Sequence, residues 1–260
     1  MASKHEYPVY IISKGRYEKT LTADILNNSG INYLIAVEPQ EYDLYANKVG
    51  VHRLLKLPFS NLGLGSYPAR NFCWEHAKNL GYTYHWLLDD NILHFRKWVN
   101  RFREKWENIN SAFCYVESFV KSHSIDIGGF EEYNFCVRPP KQPFKINCHV
   151  YSTMLIKNNL PYRWRLKYNE DVDLCLQVLH NGGTTASCVY YMANKVSTAD
   201  KMKGGNQTEL YKGNDPKKNL LKAKMLEAVW PQYAKTVIRF NRHHHLVDWK
   251  VFKKPILKQG

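Results

Sequence analysis

The sequence predicts an α/β protein with a mainly parallel sheet. In residues 8–88, four short apolar runs alternate with three segments of helical character, which is typical of parallel strands joined by right-handed crossovers. Hydrophobic residues make up 44% of the 260 residues, so the chain can bury a full core. The fourth apolar run ends abruptly in two acids and an amide, which places polar side chains at the end of a strand.

The elements of the first half follow from these runs. The first strand is an apolar run that includes Val9–Ile12, and the helix after it ends at Gly30 in the manner of a C-cap. Gly81 ends the third helix in the same way. The expected strands lie at residues 8–13, 32–37, 51–57 and 82–88, and the expected helices at residues 18–28, 38–48 and 69–80.

The second half is less regular. Gly182 and Gly183 close an expected helix at residues 169–181, and a basic helix is expected at residues 216–230. A further helix is expected at residues 110–123, and strands at residues 125–130, 135–138, 144–156 and 184–192. Because no linker, repeat or low-complexity tract separates the halves, we expect one domain over residues 1–260.

The chain is strongly basic. Lysine and arginine total 37 against 23 acids, and the net charge of +14 favours a polyanionic partner, nucleic acid first. A basic protein without such a partner is the alternative. The six cysteines form no CxxC pair, and neither the N-terminus nor any apolar run resembles a signal peptide or a membrane span. We therefore expect a soluble, intracellular protein with no membrane partner.

Asp89, Asp90 and Asn91 stand directly after the fourth strand. In an open parallel sheet, ligands bind at the carboxyl ends of the strands, so the loops after these strands should converge on one edge. Carboxylate and amide oxygens at that edge could hold a divalent cation beside a nucleotide pyrophosphate. An acidic β-turn without further function is the alternative.

A second acidic cluster contains Glu170, Asp171 and Asp173 and follows Asn169 at the start of a predicted helix. Asn169 can cap this helix, and the helix dipole favours acids in a first turn, so a structural role is one interpretation. Two acidic clusters are also what a metal-assisted group transfer needs. One would hold the metal, and the other would take a proton from the attacking hydroxyl.

At this point the sequence resembles a known family. The resemblance is carried, in order, by residues 8–16, Ala69-Arg70-Asn71, Leu87-Leu88-Asp89-Asp90-Asn91 and Glu170-Asp171. These motifs are similar to nucleotide-sugar glycosyltransferases of the GT-A fold, and more similar still to the phage-associated branch called TET-associated glycosyltransferases. The resemblance implies a Rossmann-like, mainly parallel nucleotide-sugar-binding half at about residues 7–107. A mixed-sheet acceptor half, with a C-terminal helix and tail, would follow at about residues 108–260.

The resemblance also implies a UDP-sugar donor and a divalent metal, Mn²⁺ or Mg²⁺. Asp89 and Asp90 resemble the metal and ribose acids of the family, while Asn91 stands where a third acid is usual. A neutral oxygen binds a cation less strongly than a carboxylate does. The implied donor-binding residues are Ser13, Lys14, Arg16, Glu38, Arg70, Asn71, Asp89 and Asp90, and the implied metal ligands are Asp89, Asp90 and Asn91.

Asp171 resembles the catalytic base of the family, and Glu170 beside it would position the acceptor. A base opposite the leaving nucleotide implies inversion at the sugar carbon. In this branch the acceptor is 5-hydroxymethylcytosine or a related hydroxymethylpyrimidine in DNA, which a TET-like oxygenase produces. The resemblance thus implies a hexosyltransferase in the cytoplasm of a phage-infected bacterium. The alternatives are transfer to a polysaccharide, lipid or protein, and a non-catalytic nucleic-acid-binding protein.

Two runs of basic and aromatic residues could contact DNA phosphates. In an extended segment, alternation puts Arg163, Arg165 and Lys167 on one face just before Asp171, and Trp164 could stack on a displaced base. The second run spans residues 96–106 and follows the first acidic motif. Ordinary solvated faces are the alternative for both runs.

Three further features have a non-functional interpretation as well as a functional one. Residues 195–207 could form a lid over the donor or a flexible loop. The histidines of residues 242–245 include a candidate third metal ligand, but a surface cluster is the favoured interpretation. His149 is expected to be structural.

Overall fold

The computed structural model describes residues 4–196, 204–205 and 216–253. The fold is α/β, as predicted, and the described residues form ten strands of one mixed sheet and a separate two-stranded hairpin. The strands are β1 (Val9–Ile12), β2 (Leu34–Val37), β3 (Leu54–Lys56), β4 (Tyr84–Asp89), β5 (Ile92–Val99), β6 (Phe102–Lys105), β7 (Ile127–Glu132), β8 (Phe144–Ile146), β9 (Thr153–Lys157), β10 (Thr185–Lys195), β11 (Ala234–Arg239) and β12 (Arg242–Val247). The helices are α1 (Leu21–Asn28), α2 (Tyr42–Val49), α3 (Tyr67–Asn79), α4 (Ile109–Ser122), α5 (Glu170–His180) and α6 (Pro216–Val229).

The sheet order is β3-β2-β1-β4-β9-β7-β10-β5-β6, with β8 beside β10. The four strands from β3 to β4 are parallel, which confirms the predicted Rossmann-like half. The rest is mixed, because β9 runs antiparallel to both β4 and β7 while β10 is parallel to β7. In β1 and β4, Ile12 lies opposite Asp89, so both strands deliver their carboxyl ends to one point. This GT-A-like arrangement has its crevice where the strand order reverses.

Apolar side chains cover both faces of the sheet. In β4, Trp86 packs with Phe113 and Phe130 on one face, while Leu87 belongs to a second cluster with Trp74 on the other. Because successive side chains of a strand point to opposite faces, a strand buried on both sides is mainly apolar. In β1, β2 and β4 the charged residues therefore stand at or after the strand ends.

The structure corrects several predicted elements. Residues 135–138 are no strand: a 3₁₀ turn at Tyr133–Phe135 leads into a loop, and the prolines that follow cannot donate to a ladder. The expected strand at residues 144–156 is two strands, β8 and β9, separated by a loop that begins at the left-handed Asn147. Strands β5, β6, β11 and β12 were not predicted. No described helix has the length and apolarity that crossing a bilayer requires.

Candidate active site

A cavity of about 230 Å³ opens at the carboxyl ends of β1, β2 and β4. It lies at the crevice that this sheet order creates. The residues predicted from sequence that line it are Ser13, Lys14, Arg16, Glu38, Arg70, Asp89, Asp90, Asn91, Glu170 and Asp171. The structure therefore brings the two acidic motifs, which begin at Asp89 and Glu170, to one site.

Asp90 holds the loop after β1. Its carboxylate is buried, accepts a hydrogen bond from Oγ of Ser13 at 2.6 Å and forms an ion pair with Arg16. The hydroxyl of Tyr45 lies 2.6 Å from the same Oγ and accepts from the backbone N–H of Arg16. Burial raises the pKa of Asp90, and the Arg16 charge offsets part of that rise. Both carboxylate oxygens have partners in the loop, so Asp90 shapes this loop, and its role as a metal ligand stays a prediction.

Glu38 fixes the opposite side of the same loop. Its carboxylate accepts from Nζ of Lys14 at 3.0 Å and from the backbone N–H of Asn61 at 3.0 Å. Burial alone would raise the pKa of Glu38, but these contacts and that of Gln40 lower it below its ordinary value. The charged Glu38 thus holds Lys14 at the cavity.

Arg70 joins the two acidic motifs. Its buried guanidinium lies 2.8 Å from Oδ1 of Asp89 and 3.5 Å from Oε1 of Glu170. Ser66 accepts from Nε of Arg70 and donates to the same Glu170 oxygen at 2.8 Å. Burial raises the pKa of Glu170, and the Arg70 charge counters part of that rise. One cation therefore connects the end of β4 to the start of α5.

Lys195 is a cavity residue that the sequence placed only in the expected lid. Its Nζ lies 2.5 Å from Oε1 of Glu132 and 3.9 Å from Oδ2 of Asp89. Burial alone would lower the pKa of Lys195, but Asp89 and Glu132 raise it, so the side chain is charged. Glu132 is the last residue of β7, as Asp89 is the last residue of β4. The pattern of an acid at the end of an apolar strand could therefore have identified Glu132 from the sequence.

Asp171 has a histidine partner. Its Oδ2 lies 3.0 Å from Nε2 of His149, and its Oδ1 accepts from the backbone N–H of Val172. The imidazole packs against Tyr151, with ring centroids 3.9 Å apart, and lies parallel to the ring of Trp249. Burial would raise the pKa of Asp171, but His149 and the Val172 N–H hold it well below its ordinary value. His149 therefore belongs to the site, although the sequence indicated a structural residue.

The oxygens that fit the implied metal are few. Oδ2 of Asp89 faces the cavity beside Lys195, and Oδ1 of Asn91 is buried without a hydrogen-bond partner in the described part of the chain. The amide nitrogen of Asn91 donates to the carbonyl of Val196, which fixes that orientation. One carboxylate and one amide oxygen fit a Mg²⁺ or Mn²⁺ ion that takes its other ligands from a pyrophosphate and water. Among the described residues, no three His, Cys, Asp or Glu side chains are grouped for a metal.

Two predicted contact residues have other partners. The side chain of Asn71 donates to the carbonyl of Trp164 and accepts from its N–H, so it braces a loop and does not line the cavity. Trp164 itself is 1% exposed and packs in the core under Arg70, which excludes it as a stacking surface for a base in this conformation. Asn169 stands at the N-cap position of α5, but its side chain donates to the carbonyl of Lys222 and does not cap.

The basic run before α5, residues 163–167, is also less available for contact with DNA than predicted. Arg163 pairs with Glu75 of α3, and Arg165 pairs with the buried Asp173 of α5. Both cations therefore hold the run against neighbouring helices. The alternation predicted a shared face for the cations, but carboxylates of the same chain cover part of it.

The described parts of the predicted lid lie at the cavity. Gly205 donates its N–H to the carbonyl of Lys14 at 2.7 Å, and Arg16 donates to the carbonyl of Gly204. Residues 197–203 and 206–207 lie outside the described residues. The histidines of residues 243–245 line a second cavity of about 210 Å³, and Lys222 borders both cavities.

Comparison with known protein families finds a match. The model of the family described as TET-Associated Glycosyltransferase covers residues 7–205, which include every acidic and basic residue assigned to the first cavity except Lys222. No curated protein matches the chain. With a GT-A-like sheet, both acidic motifs in one cavity and a family match over most of its length, the chain belongs to the TET-associated glycosyltransferases.

Proposed function

We propose that this glycosyltransferase moves a hexose from a UDP-sugar to the hydroxymethyl group of 5-hydroxymethylcytosine, or a related pyrimidine, in duplex DNA. The observation that carries the proposal is the position of Arg70, which pairs with Asp89 and with Glu170 beside Asp171. A donor held at the strand ends and an acceptor held at α5 would therefore meet in one cavity. The net charge of +14 supports a nucleic-acid acceptor.

The family description supports the same acceptor class. A TET-like oxygenase would supply the hydroxymethyl groups, so the two enzymes would act in sequence on the same DNA. Transfer to phage DNA would take place in the cytoplasm of the infected bacterium.

The chemistry requires one bond to form as another breaks. The acceptor hydroxyl oxygen attacks the anomeric carbon, and the bond from that carbon to UDP breaks, so that UDP leaves with the electron pair. Asp171 takes the hydroxyl proton, and attack opposite to UDP inverts the sugar carbon. Arg70 and Lys195 offset the charge that grows on the leaving diphosphate. Glu170, held by Ser66 and Arg70, positions the acceptor.

Asp89 and Asn91 would hold the divalent metal at the pyrophosphate. Such an ion acts as a Lewis acid and neutralises phosphate charge. The two oxygens identified above are the support for this assignment. Chelation with EDTA should then abolish transfer, and Mn²⁺ or Mg²⁺ should restore it. If transfer survives chelation but is lost in Lys195→Met, then Lys195, and not a metal ion, neutralises the charge of the pyrophosphate.

The test of function is direct. The protein is incubated with hydroxymethylated duplex DNA, a panel of UDP-hexoses and Mn²⁺, and the DNA is digested for mass spectrometry of its nucleosides. One donor should add one hexose to the hydroxymethyl nucleoside and leave unmodified DNA unchanged. Transfer to a polysaccharide or protein, with hydroxymethylated DNA untouched, would contradict the DNA acceptor and support the alternative glycosyltransferase.

A further inference from the structure

The C-terminal unit of α6, β11 and β12 carries half of the net charge of the molecule. Residues 216–253 contain nine Lys or Arg residues and two acids, a net charge of +7 out of +14. This unit lies beyond residues 7–205, so the family match does not describe it. Such a concentration of positive charge on a small surface is the electrostatic signature of a phosphate-backbone contact.

The tip of the β11–β12 hairpin has an unusual residue. Phe240 and Asn241 form a two-residue turn in which both φ angles are positive, at 51° and 57°. Asn commonly adopts this conformation, but a bulky aromatic residue does so only under strain. The Phe240 side chain is also 89% exposed, and Arg239 and Arg242 flank the turn. A strained, exposed aromatic between two arginines is costly for stability, which points to a role in binding.

The second cavity lies between α6 and the half of β12 next to this turn. Arg242 and His244 line it, and Nε2 of His244 is buried without a hydrogen-bond partner in the described residues. Lys222 of α6 borders this cavity and the active-site cavity. The carbonyl of Lys222 accepts from Asn169, the residue before Glu170 and Asp171. The basic unit is therefore fixed to the same turn that presents the proposed base.

We propose that the β11–β12 hairpin is a wedge that opens duplex DNA, with Phe240 inserted between base pairs and the adjoining basic cavity contacting the phosphate backbone. The inference rests on the proposed function and adds the means by which a base leaves the stack. An enzyme that modifies a base inside a duplex must extrude it. Apolar side chains inserted between base steps unstack those steps in other DNA-binding proteins, and such unstacking would assist extrusion. Phe240 is here a positioning residue, because it acts on DNA structure and takes no part in the transfer.

The experiment compares three forms of one hydroxymethylated sequence: a duplex, a single strand, and a duplex with the target base opposite an abasic site. Phe240→Ala should lower the initial rate on the intact duplex by about tenfold or more, since unstacking a base step costs a few kcal/mol. On the two forms in which the base is already unpaired, the rate should stay within about twofold. Leu246→Ala, an exposed apolar residue on the same hairpin, is the matched control and should leave all three rates unchanged.

A second measurement needs no sugar transfer. A 2-aminopurine beside the target position of an unmodified duplex should brighten when the parent protein binds, and much less with Phe240→Ala. The 2-aminopurine signal tests the wedge even if no UDP-hexose supports transfer. Failure of transfer would count against the proposed function and not against the wedge. An equal loss of rate on duplex and single strand, or an unchanged 2-aminopurine signal, would overturn the wedge. Phe240-dependent binding to anionic vesicles without duplex binding would overturn it as well.

Discussion

Asp171 shows how far single residues could be assigned from the sequence. Two acidic clusters suggested a base at the start of this helix, and the family resemblance implied Asp171. The structure places Asp171 in the cavity with the strand-end acids. Its partner His149 is 22 residues earlier in the chain, and no motif connects the two. Contacts that depend on tertiary packing leave no local pattern, and for the same reason Lys195 went unrecognised.

Asp171→Asn should keep UDP binding and lose most turnover. The amide preserves the shape of the side chain and the contact with the Val172 N–H, but it cannot take a proton from the acceptor. Loss of a general base typically costs about 10²–10⁴-fold in rate. Single-turnover assays and calorimetric titration with UDP would measure the two effects. Asp43→Asn, at an exposed acid in the first turn of α2, is the matched control, and near-normal turnover in Asp171→Asn would place the base elsewhere.

Phe240→Asn should stabilise the protein. Asn adopts a positive φ at lower cost than Phe, and a side chain that is 89% exposed gives up little burial. The expected gain in the free energy of unfolding is about 0.5–1 kcal/mol, measured by urea denaturation. Leu246→Asn, at an ordinary strand position, should bring no gain. A clear loss of stability in Phe240→Asn would show that the ring packs against the hairpin.

At the scale of elements, the ends of strands could be predicted from the sequence, but the residues that pack against each element could not. Both acidic motifs lie where strands end or a helix begins, because a strand buried on both faces excludes charge. The run of residues 163–167 shows the opposite case. Alternation predicted which side chains share a face, but the helix carboxylates opposite Arg163 and Arg165 became known only from the packing.

Arg165→Ala should destabilise the protein more than Arg163→Ala. Arg165 pairs with Asp173, whose side chain is fully buried. Loss of Arg165 leaves a buried charge that has, among the described residues, only Trp230 and Gln177 as side-chain donors. Because Arg165 is half-exposed, the expected cost is about 1–3 kcal/mol. Arg163 pairs with the half-exposed Glu75, so its loss should cost less than about 1 kcal/mol.

Thermal denaturation of the two variants would give this ranking. Adding Asp173→Asn to Arg165→Ala should recover part of the loss, since the unpaired charge is then removed. Equal costs for Arg163→Ala and Arg165→Ala would show that the Arg165–Asp173 pair is no more important than a surface ion pair.

At the scale of the molecule, the order of strands in the first half determines the site. Four parallel strands could be predicted because four mostly apolar segments alternate with three helices in residues 8–88. Strands β5 and β6 were missed because charged residues interrupt them: they lie near the sheet edge, where Lys97 packs over Trp106. The β11–β12 hairpin was missed because its turn lacks the glycine that usually marks one.

Stability should decline as the pH falls from about 6.5 to about 4. Burial lowers the pKa of His85 to about 4, against a smaller opposing effect of its hydrogen bond to Asn158. Burial also lowers the pKa of His245 to about 4, and the charge of Lys222 adds to the shift. Over this range the unfolded chain binds protons that the folded chain does not, so stability rises with pH and is lost on acidification. Each histidine contributes a slope of up to about 1.4 kcal/mol per pH unit.

Urea denaturation at intervals between pH 4 and 7 would measure this slope. His245→Gln should flatten it, whatever its effect on stability at neutral pH, because the glutamine takes up no proton. His52→Gln, at an exposed histidine, is the control and should follow the parent curve. Parallel curves for the parent and His245→Gln would mean that His245 reaches solvent. The charges of Lys222 and Asp171 both act on His245, so protonation of His245 would change the electrostatics where the second cavity meets the active site.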